Sequence, residues 1–130
     1  MSVLKVNQIL DETGSSTTPP SIPALETRFC KAWVNFNGVG TVAIRDSHNV
    51  SSITDGGVGM YTINFAVALA NANYSTTCSM GMIAQATVVI LGTVSAVAAT
   101  TTGRKFSVNS FSSGAAVDSP EICVQIFGGA

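Results

Sequence analysis

A chain of 130 residues has room for one ordinary domain with a sizeable core, but not for a second independent one. Only 10% of its residues are charged against 46% hydrophobic, the net charge is -1, and the six basic residues (Lys5, Arg28, Lys31, Arg45, Arg104, Lys105) are scattered. Phosphate binding needs a concentrated basic face, so nucleic acid is excluded as a partner, and so little charge implies that part of the surface meets other protein.

Residues 1–28 differ in character from the remainder. Met1-Ser-Val-Leu-Lys-Val-Asn lacks the apolar core of a secretory signal, so assembly in a reducing cytoplasm is expected. Leu4, Val6 and Ile9 form a candidate anchoring hook that orders when packed on a neighbour; the alternative is a frayed terminus. Pro19, Pro20 and Pro23 then favour an extended, linker-like path. We therefore expect an N-terminal arm over 1–28 and a β domain over 29–130.

From Phe29 onward, short alternating apolar runs are separated by Gly, Asn and Asp turns, the pattern of an antiparallel sandwich or barrel. Cys30, Ala32, Val34 and Phe36 alternate with Lys31, Trp33 and Asn35. Asn37-Gly-Val-Gly40 predicts a tight turn into a strand from Thr41 to Arg45, and Asp46-Ser-His-Asn49 predicts a second turn. A short strand spans Val50 to Thr54, and Asp55-Gly-Gly-Val-Gly59 turns into a strand from Met60 to Val67 with Tyr61, Ile63, Phe65 and Val67 on one face. After Ala70-Asn-Ala-Asn73, the next strand places Tyr74, Thr76, Cys78, Met80 and Met82 on one face.

No charged residue occurs between Asp55 and Arg104. We read that stretch as buried sheet lying partly at a subunit interface, with Tyr61, Ile63, Phe65, Tyr74, Met80, Met82, Val88 and Ile90 as the candidate contacts. Within it, Ile83 to Ala99 approaches the length of a membrane span, but Gln85, Thr87, Gly92, Thr93 and Ser95 interrupt it. Its β-branched content predicts two strands around a bend at Gly92, and no membrane insertion. Strands from Arg104 to Phe111 and through Ile122, Val124 and Ile126 complete a set of eight or nine, with no segment of helical period.

Sites of chemistry are sparse. Cys30, Cys78 and Cys123 are odd in number and lack a CxxC pair, which predicts reduced thiols rather than disulfides or a zinc site. His48 is the single histidine; Ser47, His48 and Asp46 adjacent in sequence do not make a catalytic triad, whose members converge from separate elements. Asp46, Asp55, Asp118 and Glu121 sit in or beside predicted turns, where such side chains serve the local backbone. No catalytic, metal or cofactor site is expected. Trp33, Tyr61 and Tyr74 offer aromatic faces to a sugar, although their strongly alternating strands favour core or interface packing.

Lys31-Ala-Trp-Val-Asn-Phe-Asn-Gly38, Gly40-Thr-Val-Ala-Ile-Arg45, Asn49-Val-Ser-Ser-Ile-Thr-Asp55 and Met60-Tyr-Thr-Ile-Asn-Phe65 together resemble a recurrent pattern in tail-fibre-like proteins of marine bacteriophages, including cyanophages. Leu4-Lys-Val-Asn-Gln-Ile9 with Asp11-Glu-Thr-Gly14 is similar to their N-terminus, and Ile122-Cys-Val-Gln-Ile-Phe127 to their closing strand. The likeness is dense from Lys31 to Tyr74 and thin from Cys78 to Ser119. It implies a non-enzymatic virion component, commonly trimeric, attached through its N-terminal part to other phage structural proteins, with its β domain projecting.

The resulting expectation is a jelly-roll-like antiparallel β-sandwich with an extended N-terminal arm, part of a tail fibre or small appendage, whose partner is itself as a homotrimer. The turns carrying Asn37, His48 and Asp55 are the candidate host-contact loops, with host-surface glycan as a further candidate partner. A capsid decoration protein, a lectin-like module and a polysaccharide depolymerase, for which the sequence offers few acids, are the rival readings.

Overall fold

A computed structural model describes residues 28–81, 98–110 and 113–129, together with the backbone of 89–93. Its eight strands are β1 (Cys30–Asn37), β2 (Ala43–His48), β3 (Val50–Asp55), β4 (Met60–Phe65), β5 (Tyr74–Met80), β6 (Val89–Thr93), β7 (Gly103–Ser110) and β8 (Ile122–Gly128). They form two four-stranded sheets, ordered β2-β1-β8-β5 and β3-β4-β7-β6, with every pairing antiparallel. The β6–β7 hairpin lies in the layer opposite the β5–β8 pair that brackets it in sequence. The all-β sandwich with jelly-roll-like wrapping expected from the sequence is thus what the chain forms.

Alternation explains which face each strand buries. Ala32, Val34 and Phe36 of β1, Ile122, Val124 and Ile126 of β8, Tyr61, Ile63 and Phe65 of β4, and Phe106 and Val108 of β7 fill the space between the sheets. Phe36, Tyr61 and Phe106 meet across it as an aromatic trio, with centroids 5.2 Å (Phe36–Tyr61), 5.7 Å (Tyr61–Phe106) and 6.2 Å (Phe36–Phe106) apart. Tyr74, Cys78 and Met80 of β5 pack against the border of this core.

Several expected details are corrected. The strand predicted over 41–45 forms instead as Ala43–His48, so His48 belongs to a strand and not to a turn. The predicted 46–49 turn contracts to Asn49 alone, whose left-handed backbone (φ 52°) carries the chain from one sheet into the other. Gly92 does not mark a bend; it pairs with Ser107 inside β6. The arm, Met82, Val88 and the strand expected over 94–98, apart from Ala98, lie outside the described residues.

The sandwich has two dissimilar ends. At the near end the described chain begins at Arg28, and the Asn49 corner, the β4–β5 loop, the β6–β7 turn and Gly129 gather. The far end carries the β1–β2 turn, the β3–β4 turn and the segment leading into β8.

Candidate functional site

The far-end turns are held by short-range and long-range bonds together. Asn37 Nδ2 donates to the carbonyls of Val39 (2.7 Å) and Thr41 (3.3 Å), fixing the β1–β2 turn from within. Asp55 Oδ1 accepts the Gly57 amide at 2.9 Å, while Gly56 N–H donates to Met60 O at 2.8 Å, doing the same for the β3–β4 turn. Asp118 then joins these turns to the core, because its Oδ1 accepts both the Gly59 amide and the Tyr61 hydroxyl at 2.7 Å. Gly38 O stands 3.0 Å from the same hydroxyl, and Gly38 N–H donates to Ser119 O.

Glycine is obligatory at one of these contacts. Gly59 has φ +66°, and a Cβ there would lie 2.4 Å from Val108 O. Burial, then the hydrogen bond and charge of Asp118, hold the Tyr61 phenol far above its ordinary range. It therefore acts as a neutral donor at all physiological pH.

The groups that these clamps present are apolar. Val39 and Val58, at the tips of the two turns, are 47% and 60% exposed. Asn37 and Asp55, singled out from the sequence as contact residues, are the holders of the turns, and the tips beside them are the exposed features. Both valines lie within the turns expected from the sequence to make contact, but the sequence does not single them out, because an apolar residue flanked by glycines reads as a turn filler. His48 lies at the opposite, near end, in register with Trp33, so the structure does not bring it together with Asn37 and Asp55.

At the near end, Asn49 Nδ2 donates to Lys31 O (3.1 Å) and Val67 O (3.2 Å), and its Oδ1 accepts Val67 N–H at 2.7 Å. Beside it, Lys31, Asn49, Val67, Ala68, Leu69, Ala70 and Gly129 line a groove of about 360 Å³. Phe29 and Val67 are 50% and 70% exposed there.

The candidate interface is corrected too. Tyr61, Ile63 and Phe65 are 1%, 1% and 8% exposed within the single chain, so they face the opposite sheet and have no surface left for a second copy. Tyr74 and Met80 also turn inward. Met82 and Val88 lie outside the described residues; Ile90 pairs with Asn109 within β6. The face that β5 and β8 turn outward is different: exposed Ser75, Thr77, Ser79 and Gln125 with half-buried Cys123 and Phe127, none of them charged. Register places Trp33, Gln125 and Thr77 in one row across it, and Asn35, Cys123 and Ser79 in the next. The anchor candidates Leu4, Val6 and Ile9 lie outside the described residues.

The titratable groups stay dispersed. Asp46 Oδ1 accepts the amide of its neighbour Ser47 on exposed β2, and Arg45 donates to Asn35 Oδ1 (3.0 Å) and to Pro120 O. Cys30, Cys78 and Cys123 are free thiols. Burial pushes the Cys78 thiol up to about 11, partly opposed by Arg104. Among the described residues no three His, Cys, Asp or Glu side chains group as metal ligands, and no helix is long and apolar enough to cross a membrane.

No protein-family model matches the chain, and neither a curated protein nor a solved structure matches it.

Proposed function

We propose that this chain is a structural component of a bacteriophage particle, a tail-fibre or small appendage module that assembles with copies of itself as a trimer and presents its far-end turns to the host surface. The observation that carries the reading is the separation of roles between the two ends of the sandwich. The chain arrives at Arg28 on the near end, while the turns tipped by Val39 and Val58 are clamped at the other. Attachment through residues 1–28 to other virion proteins then points the clamped turns outward.

Self-assembly is supported by the neutral outer face of β5 and β8. Hydroxyl and amide side chains around half-buried Phe127 and Cys123 carry no charge whose desolvation would oppose association. Closed cyclic symmetry would cover such a face in every copy. Light scattering on the purified full-length protein tests the reading: a trimer supports it, and a folded monomer persisting at high concentration overturns it.

A further inference from the structure

A second concavity opens on the outer face of the other sheet. Thr62 and Asn64 of β4, Gly103 and Lys105 of β7, and Ala98, Thr100 and Thr102 of the β6–β7 turn enclose a cleft of about 200 Å³, room for one sugar ring. Asn64 and the two threonines of the turn are held in place before any ligand arrives. Asn64 Nδ2 donates to Ser52 Oγ (3.0 Å) and Thr54 Oγ1 (2.8 Å), which commits the amide nitrogen and leaves Oδ1 as an acceptor. Thr100 Oγ1 accepts Gly103 N–H at 3.0 Å and lies 3.3 Å from Thr102 Oγ1. Such preorganisation lowers the ordering cost of binding. Among the described residues, the Lys105 ammonium and the Thr62 hydroxyl have no hydrogen-bond or ion-pair partner.

The inventory defines the ligand. One cation calls for one negative charge, and no acid lines the cleft to oppose it. A bare anion such as acetate leaves the Asn64 acceptor and the threonine hydroxyls unmatched, whereas a polyol supplies donors and acceptors for both. We propose that this cleft binds a carboxylate-bearing monosaccharide unit, a uronic-acid residue of a surface polysaccharide, with its carboxylate on Lys105 and its ring hydroxyls on Asn64, Thr62 and Thr102. The cleft lies toward the near end, away from the clamped turns, so the inference goes beyond the functional reading, and it is assayed on the free protein so that its outcome is separate from that of assembly.

The experiment is an NMR titration of the full-length protein with glucuronate and galacturonate, with glucose, galactose and acetate as controls. Saturable shifts at Thr62, Asn64, Gly103 and Lys105 in the millimolar range are expected for the uronates, with far weaker responses to the controls. Lys105→Ala should weaken uronate binding about tenfold, while Thr62→Val, on the same exposed face, should weaken it less. Absence of saturation by either uronate, equal binding by Lys105→Ala, or acetate binding as tightly as the uronates would overturn the proposal. A thermal melt establishes that each variant is folded.

Discussion

The Tyr61 hydroxyl has one proton and two acceptors, Asp118 Oδ1 at 2.7 Å and Gly38 O at 3.0 Å, and the charged carboxylate is the stronger claimant. Tyr61→Phe keeps the aromatic packing but removes that donor, and is expected to cost about 1–3 kcal/mol in urea unfolding. Alkali should act on the same chemistry. Below pH 9.0, the ordinary value of the Cys78 thiol, folded and unfolded chains both hold its proton and its contribution is complete. Between 9.0 and about 11 the unfolded chain ionises first, so stability falls as pH rises, and Tyr61 extends the loss above its ordinary 10.0. Melts between pH 8 and 11 should show this decline, and Cys78→Ala should flatten its lower part. None of this was legible in the sequence beyond turn-forming residue types. Asp118 reads locally as a turn former, and its bonds to Gly59 and Tyr61 span 59 and 57 positions, so only the topology brings them together.

At the scale of elements, alternation made most strands legible, because a half-buried strand writes its two faces into every second residue. It does not say what covers the apolar face. Alternation alone therefore points Tyr61, Ile63 and Phe65 to a subunit interface, whereas the opposite sheet of the same chain buries them. The crossing at Asn49 was hidden for another reason: Asp46, Ser47, His48 and Asn49 all have turn-forming or polar character, yet β2 is an exposed edge strand that tolerates them. Asn49 alone adopts the left-handed conformation, with its side chain bonded to Lys31 and Val67. Asn49→Gly removes those bonds only, at about 1–2 kcal/mol, whereas Asn49→Ala adds backbone strain for about 2–4 kcal/mol. Equal losses in denaturant melts would mean that the strain is absent.

For the whole molecule, charge poverty pointed to association without saying where. The chain itself buries the apolar face of β4, so the contact proposed above is the outward face of β5 and β8. Thr77 lies at the centre of that neutral face, in register with Gln125. Thr77→Lys should therefore shift the assembly toward monomer in sedimentation while leaving the far-UV circular dichroism unchanged, since the side chain is exposed. An undiminished oligomer would place the contact elsewhere.

The position of β1 has a mechanical consequence. It lies between β2 and β8, antiparallel to both, and the described chain joins it directly at Cys30. Tension applied at Arg28 and resisted at the opposite turns runs along the strand axis. It loads the ladders on both flanks in shear, with all their backbone bonds sharing the force, instead of peeling them one at a time. A tether rooted there would hold against drag that would unzip a strand pulled sideways from a sheet edge.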